Sequence, residues 1–470
     1  MKLSELMNVP YDIEISRVTC DSREVENGTL FICVRGEESD GHDFVSQALE
    51  KGAVAFVCEK DIDAQIKIIV PDARRAASEI FSVFFKRPEE RLKITGVTGT
   101  NGKTSTAYIL RDIYLRAGRE PAIFGTFGAE YKDMKVETGN TTPLPQVFYP
   151  LLRDVVEMGA QTLVMEVSSH ALSLGRVSTV FFENAIYTNL SPEHLDFHKN
   201  MEEYSLAKES LFERCRRGYF NIDDVYVQNA YKKGLCEGYS FGLSDKAEFR
   251  ANDVYIGKRK VEYKLSYGDR TLNIKTRLSG MFGLYNSLAA AACAIGDGIS
   301  SDAIEEAIRD FSGVKGRFEK IYDGAFTVII DYAHTPDAIE KLLREARRIY
   351  SSASRITLLF GCGGNRDRGK RSLMAKASLL ADRVIVTSDN CRYEKNEDII
   401  GEIIEGNTSA LVIADRTLAL EYVIDSAVIG EVILLAGKGH EEYEIKNGEK
   451  LEFSERAIVL KRIKTRIKYM

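Results

Sequence analysis

At 470 residues, 44% hydrophobic and 29% charged, the chain is too long for one core and has the composition of a soluble globular protein of about three domains. Its net charge of −6 excludes bulk attraction to nucleic acid, so an anionic ligand must be held by local basic groups. No apolar run approaches the ~20 residues of a membrane span, and residues 1–11 lack the apolar stretch of a signal peptide. Eight scattered cysteines without CxxC or zinc spacing suit a reducing cytoplasm.

Residues 1–88 read as a compact α/β unit. Stretches 29–34, 53–58 and 66–70 have the apolar, β-branched character of strands. Residues 42–51 read as a helix stopped by Gly52, and Asp72 is placed to cap a helix running to about Phe85. The loop Cys20-Asp21-Ser22-Arg23 follows a strand; alone it reads as a solvated turn. The charged, proline-containing stretch 86–91 marks a domain boundary.

The second unit, 89–316, opens on a short buried strand, a glycine-rich turn and a helix from Thr104 to about Ala117. That order gathers backbone N–H groups and a positive helix end around one point, which suits a nucleotide's phosphates. In Gly99-Thr100-Asn101-Gly102-Lys103-Thr104 the lysine falls where β- and γ-phosphates bind, and the Thr104 hydroxyl where Mg²⁺ binds. The match to the common P-loop pattern is imperfect, because Val97 stands at the first glycine position.

Beyond the P-loop, strands and helices alternate as a parallel sheet requires. A strand over 162–167 carries Glu166 at its end, and one over 185–190 leads to Ser191-Pro192-Glu193-His194. The carboxyl ends of parallel strands carry the chemistry. A carboxylate beside a triphosphate is repulsive without a cation, so Glu166 reads as a metal ligand. Taken singly, His194 would be a hydrogen-bonded structural histidine; its strand-end position favours a ligand. The polar loop 140–143 precedes a helix and suits substrate hydroxyls or carboxylates, and 249–278 reads as an antiparallel appendage turning at Gly257 and Gly268. Helices follow over 282–295, carrying Asn286, and over 301–311.

The third unit, 317–470, is again α/β. Four strands, over 327–330, 356–360, 384–387 and 432–436, each end in polar residues, which marks one long functional edge.

The P-loop, Met165-Glu166-Val167-Ser168-Ser169-His170, Asn189-Leu190-Ser191-Pro192-Glu193-His194, Asp331-Tyr332-Ala333-His334-Thr335-Pro336 and Gly437-Lys438-Gly439-His440-Glu441 occur in this order. Together they resemble the Mur ligases, ATP-dependent enzymes that build the peptidoglycan stem peptide, and most of all the branch adding the third residue. The resemblance implies a central P-loop ATPase domain with a parallel sheet, an N-terminal UDP-binding α/β domain and a Rossmann-like C-terminal domain. It implies ATP and Mg²⁺, with Glu166, His194 and a carbamylated Lys208 at the metal. Unaided, Lys208 would read as a surface lysine on a helix over 203–214. By the same resemblance Asn286, Arg317, Asp331 and His334 handle the nucleotide, and Ser22 the uridine diphosphate. Thr141, Thr142, Ser168 and Arg176 would contact the muramoyl-dipeptide of UDP-MurNAc-L-Ala-D-Glu. Leu174 stands where relatives often have glutamine.

The incoming amino acid falls to Arg366, Asp389, Asn390, Arg392, Gly437 and Glu441. Diaminopimelate-adding relatives carry Asp-Asn-Pro-Arg where this chain has Asp389-Asn390-Cys391-Arg392. The kept arginine points to meso-diaminopimelate, with lysine or lanthionine as alternatives, and loss of the proline predicts a looser loop. A folylpolyglutamate-synthase-like ligase would need neither the Asp21-Ser22-Arg23 unit nor the Asp389–Arg392 motif. A small-molecule kinase would release no free phosphate, and a non-catalytic sugar-nucleotide binder would not need Lys103, Glu166 and His194. A cytoplasmic monomer is expected.

Overall fold

The computed structural model describes residues 1–36, 39–258 and 260–468. Three main sheets divide them, so the chain is a three-domain α/β protein. The first has four parallel strands, Arg17–Thr19, Thr29–Ile32, Ala53–Cys58 and Lys67–Ile69, in sequence order. Thr29–Ile32 is buried throughout, as expected of a parallel strand covered on both faces. The helix expected over 42–51 divides into a 3₁₀ turn, Gly41–Phe44, and a helix, Val45–Glu50. The Asp40 carboxylate accepts the His42 N–H and starts the turn early. Asp72 caps the helix Ala73–Phe84 by accepting the N–H groups of Arg74 and Arg75. The buried face of that helix (Ala77, Ile80, Phe81) shares a core with Phe148 and Leu152 of the central helix Pro145–Glu157, fixing the first unit to the second.

The central sheet has eleven strands. The P-loop strand Lys93–Thr98 lies between Phe182–Tyr187 and Thr162–Glu166, parallel to both. The strand expected over 185–190 thus begins earlier and ends at Tyr187. Residues 188–191 are instead a loop wrapped on the P-loop. The stretch 249–278 is no separate appendage. Its strands Phe249–Ile256, Val261–Tyr267 and Arg270–Thr276 are antiparallel to one another, but the first pairs in parallel with Glu237–Gly242 and so extends the main sheet. The apolar helix Gly280–Gly296 packs beneath, in one core with the P-loop helix Lys103–Arg116.

In the C-terminal sheet the order is Glu319–Asp323, Thr327–Asp331, Val432–Ala436, Ile356–Phe360, Arg383–Val386, Leu411–Val412. The first pair is antiparallel and the rest parallel, a mixed sheet with helices on both faces. No helix among the described residues is long and apolar enough to cross a membrane.

Candidate active site

The P-loop turns on two glycines in the left-handed region, Gly99 (φ 141°) and Gly102 (φ 87°). A side chain at Gly102 would also collide with Asn286, which places that residue against the turn. Residues 188–191 hold the loop from outside. Asn189 accepts the Asn101 N–H (3.0 Å) and donates to its carbonyl (2.9 Å), while Thr188 Oγ1 donates to the same carbonyl at 2.6 Å.

Lys103 donates to the Gly99 and Thr100 carbonyls, both at 2.9 Å. Lys208 donates to the same Gly99 oxygen at 2.9 Å and is 1% exposed, with its ammonium over the Tyr204 ring. The surface lysine expected from pattern alone is therefore a buried one. Its helix is shorter than expected: Met201–Glu209, capped by Asn200, then a separate 3₁₀ turn at Phe212–Arg214. Burial drives both lysine pKa values down, that of Lys208 well below the usual value, and Lys103 adds repulsion there. Burial raises the Glu193 pKa, but His194, His334, Lys103 and Lys208 outweigh it and hold that carboxyl below its usual range.

Glu166 is 1% exposed. It accepts from Thr104 Oγ1 (2.9 Å), from the Thr126 N–H (2.8 Å) and from Thr126 Oγ1 (3.2 Å). Thr142 Oγ1 donates to the Glu166 carbonyl (2.9 Å) and accepts the Ser168 N–H (3.0 Å), and Arg176 donates to the Thr142 carbonyl (2.9 Å). Thr141 lies 3.4 Å from Thr126. One strand end thus brings Thr141, Thr142, Ser168 and Arg176 beside Thr104 and Glu166. His194 has a left-handed backbone (φ 56°), an uncommon and strained state for a non-glycine residue. Its ring, 4.7 Å from that of His170, is desolvated and pushed down to about 4, hence neutral at pH 7. Thr104 and Glu166 bring two oxygen donors to one point, the donor type magnesium takes, whereas a bare Lys208 ammonium is no such donor.

Residues of the C-terminal unit meet this edge. Arg317 donates to Thr104 Oγ1 at 3.4 Å and lies over the Tyr332 ring. Asp331 accepts the N–H groups of Phe318 (2.7 Å) and Ala333 (2.8 Å), and burial raises its pKa. The His334 ring contacts the Tyr332 carbonyl at 2.8 Å, and burial lowers its pKa. Ser191 Oγ donates to Asp337 at 2.8 Å, and the His440 ring lies between Phe127 (4.6 Å) and Tyr332 (5.1 Å).

A second cluster sits farther along the C-terminal edge. Lys438 is fully buried and donates to Asn390 Oδ1 (3.0 Å) and the Tyr443 carbonyl (2.9 Å); Asn390 Nδ2 donates to Glu441 (2.8 Å). Lys438 and Arg416 outweigh burial to keep Asp389 low, whereas burial and Asp389 raise Glu441. Gly437 must be glycine, since its φ is 108° and a side chain would press on Asp389. Arg392 is half-buried with its NH1 on the Gly364 carbonyl (2.7 Å); its Nε and NH2 have no hydrogen bond to the described residues. Burial and Arg366 lower its pKa. Around the replaced proline, Arg392 N–H donates to Ile445 O (3.0 Å) and Gly364 N–H to Asn390 O (2.9 Å), and Cys391 is buried.

Ser22 stands apart from both clusters, its carbonyl accepting from Lys51 at 2.8 Å. Sequence reasoning missed Thr126, Glu193 and Lys438. Gly125 was the available signal for Thr126, since any side chain at 125 would strike Glu166.

Three family profiles cover most of the chain: Mur ligase family, catalytic domain, at 14–86; Mur ligase middle domain at 97–294; Mur ligase, glutamate ligase domain, at 316–439. The chain belongs to the Mur ligase family. Mur ligases are ATP-dependent, ADP-forming enzymes. Two similar relatives are named UDP-N-acetylmuramoyl-L-alanyl-D-glutamate--2,6-diaminopimelate ligase. The Syntrophomonas wolfei protein is 39% identical over 99% of this chain and 98% of its own. The Aquifex aeolicus protein is 39% identical over 95% and 93%. A solved structure of a ligase with that name has a TM-score of 0.71 at 29% identity, covering 99% of both chains. The Mur ligase fold also extends to Thermotoga maritima MurF in complex with ADP, at TM-score 0.64 and 17% identity over 96% of this chain and 98% of that one.

Proposed function

We propose that this Mur ligase joins meso-diaminopimelate to the D-Glu carboxylate of UDP-MurNAc-L-Ala-D-Glu, in the cytoplasm, as a step of peptidoglycan synthesis. Residues 1–88 take the uridine diphosphate beside Ser22, 89–316 the ATP, and 317–470 the amino acid. The observation that carries the reading is two unlike sites on adjoining edges. One places Lys103 and Lys208 on a single P-loop carbonyl beside Glu166; the other holds an arginine with unused donors.

The D-Glu carboxylate attacks the γ-phosphate of ATP, giving an acyl phosphate and ADP. The neutral amine of the amino acid then adds to the acyl carbon, and phosphate leaves from the tetrahedral intermediate. Lys103 offsets the charge that keeps carboxylate and triphosphate apart, and the glycine turn directs its N–H groups at the phosphates. Thr142, Ser168 and Arg176 orient the dipeptide. Thr104, Glu166 and His194 would hold Mg²⁺, which supplies further charge neutralisation when bound.

Lys208 takes part as a carbamate. Its depressed pKa leaves neutral amine available, which adds CO₂ to give R–NH–COO⁻ and a released proton. The buried neutral amine would thereby become an anion suited to the metal. The enzyme works as a monomer.

The testing experiment is phosphate release with UDP-MurNAc-L-Ala-D-Glu and a panel of amino acids. A ligase yields ADP, phosphate and an amide in equal amounts, strongest with meso-diaminopimelate. Phosphorylated dipeptide without free phosphate would make the protein a kinase.

A further inference from the structure

Arg371 lies in the helix Gly369–Ser378 and its side chain is 0% exposed. A guanidinium is buried only with partners. Here NH1 donates to Glu394 (3.0 Å) and Glu402 (2.8 Å), and NH2 to Glu394 (2.9 Å) and the Gly363 carbonyl (3.3 Å).

Those partners lead to the two arginines of the second cluster. Glu394 accepts the Asn365 N–H, and Asn365 Oδ1 accepts the Tyr393 N–H at 3.1 Å. Arg366 and Arg392 are therefore each next to a residue tied into this staple. Both Asn365 (φ 50°) and Arg392 (φ 53°) have left-handed backbones, which persist only where the surroundings fix them. The two loops also carry like charges, and Arg366 contributes to lowering the Arg392 pKa. Asp389 and Glu441 offset part of that repulsion. Glu394 and Glu402, drawn onto one buried guanidinium, tie the Asn365 side of the pair to the helix Gly369–Ser378.

We propose that Arg371 is a positioning residue for amino-acid specificity, holding the Arg366 and Arg392 loops at the spacing that grips a distal carboxylate. The inference rests on the diaminopimelate reading above. A carboxylate clamp depends on spacing more than a site for an uncharged chain end does, because two guanidinium donors must meet two oxygens at once. Loss of Arg371 thus affects diaminopimelate and leaves lysine, which lacks the second carboxylate, little changed.

The test compares wild type, Arg371→Met, Arg371→Lys and Glu394→Gln in steady-state assays with meso-diaminopimelate and L-lysine. Arg371→Met is expected to raise the KM for diaminopimelate about tenfold or more, since a misplacement of ~1 Å costs up to about 10²-fold. KM values for ATP and UDP-MurNAc-L-Ala-D-Glu and the kcat/KM for lysine stay within about twofold, the scale of an untouched site. Arg371→Lys falls between, because an ammonium cannot bridge both carboxylates in the guanidinium's planar geometry. Should Arg371→Met fail to fold, Glu394→Gln decides, since Glu394 lies partly in solvent and breaks the same link. Folded variants that keep the wild-type preference overturn the proposal alone. Equal rises in every KM do so too, by marking a general structural role. A wild type that uses both amino acids equally overturns the diaminopimelate reading itself, and this inference with it.

Discussion

Lys103 and Lys208 share the Gly99 carbonyl, yet their substitutions should behave differently. Lys103→Ala is expected to lose at least about 10²–10³ in kcat, the scale of one lost charge-stabilising donor, with melting unchanged. Lys208→Ala should be as inactive, but short carboxylic acids should restore part of its activity by replacing the carbamate. Phosphate-release assays with and without acetate read the contrast; rescue of Lys103→Ala, or full activity of Lys208→Ala, would reverse the assignments. Arg392→Ala belongs to the same scale. Removing one partner of a desolvated charge pair, here the arginine that would meet the distal carboxylate, costs roughly 2–5 kcal/mol. Arg392 is only half-buried, so the lower end applies, about 30-fold. The variant should raise the KM for diaminopimelate by that order and leave the KM for ATP alone.

At the scale of elements, the P-loop unit was legible because a short apolar strand, a glycine turn and a helix follow one another without a break. The strand Val432–Ala436 was legible too: fully buried parallel strands are continuous apolar runs bounded by polar residues. What escaped was set by tertiary contact. Residues 188–190 look strand-like, but Thr188 and Asn189 spend their polar groups on the P-loop. The hairpins of 249–276 alternate like any antiparallel ribbon, and the short parallel pairing of Phe241 with Phe249 and Gly242 with Arg250 makes them part of the main sheet. Lys208 sits on a helix of low amphipathic contrast, where nothing local distinguishes a buried lysine from a solvated one. That helix depends on its start: the Asn200 side chain accepts the Glu203 N–H at 2.8 Å. Asn200→Ala should cost the helix about 1 kcal/mol, seen as roughly fivefold faster amide exchange over 204–209. Unchanged exchange there would remove the cap from the account.

For the whole molecule, the contact between central and C-terminal units includes the His440 ring, tilted against both Phe127 and Tyr332, beside the Arg317–Thr104 and Ser191–Asp337 hydrogen bonds. Its pKa is pushed down to about 4 by burial, with Arg317 and Lys315 adding repulsion. The unfolded value is near 6.5. Above that both states are neutral and pH has no effect through this group. Between about 6.5 and 4 the unfolded chain takes the proton and the folded one does not, so stability falls as pH falls. The drop in melting temperature from pH 7 to pH 4.5 should be smaller in His440→Gln than in wild type. An identical drop would place the acid sensitivity elsewhere.

The central claim concerns which bond the molecule makes. Wild-type enzyme would be given ATP, Mg²⁺, UDP-MurNAc-L-Ala-D-Glu and equimolar meso-diaminopimelate, L-lysine and lanthionine, and the products resolved by mass. The account predicts one dominant product, the diaminopimelate tripeptide, formed with one ADP and one phosphate. A lysine or lanthionine tripeptide in equal or greater amount would contradict the reading of Arg392, and ATP turnover without any amide would contradict the ligase itself.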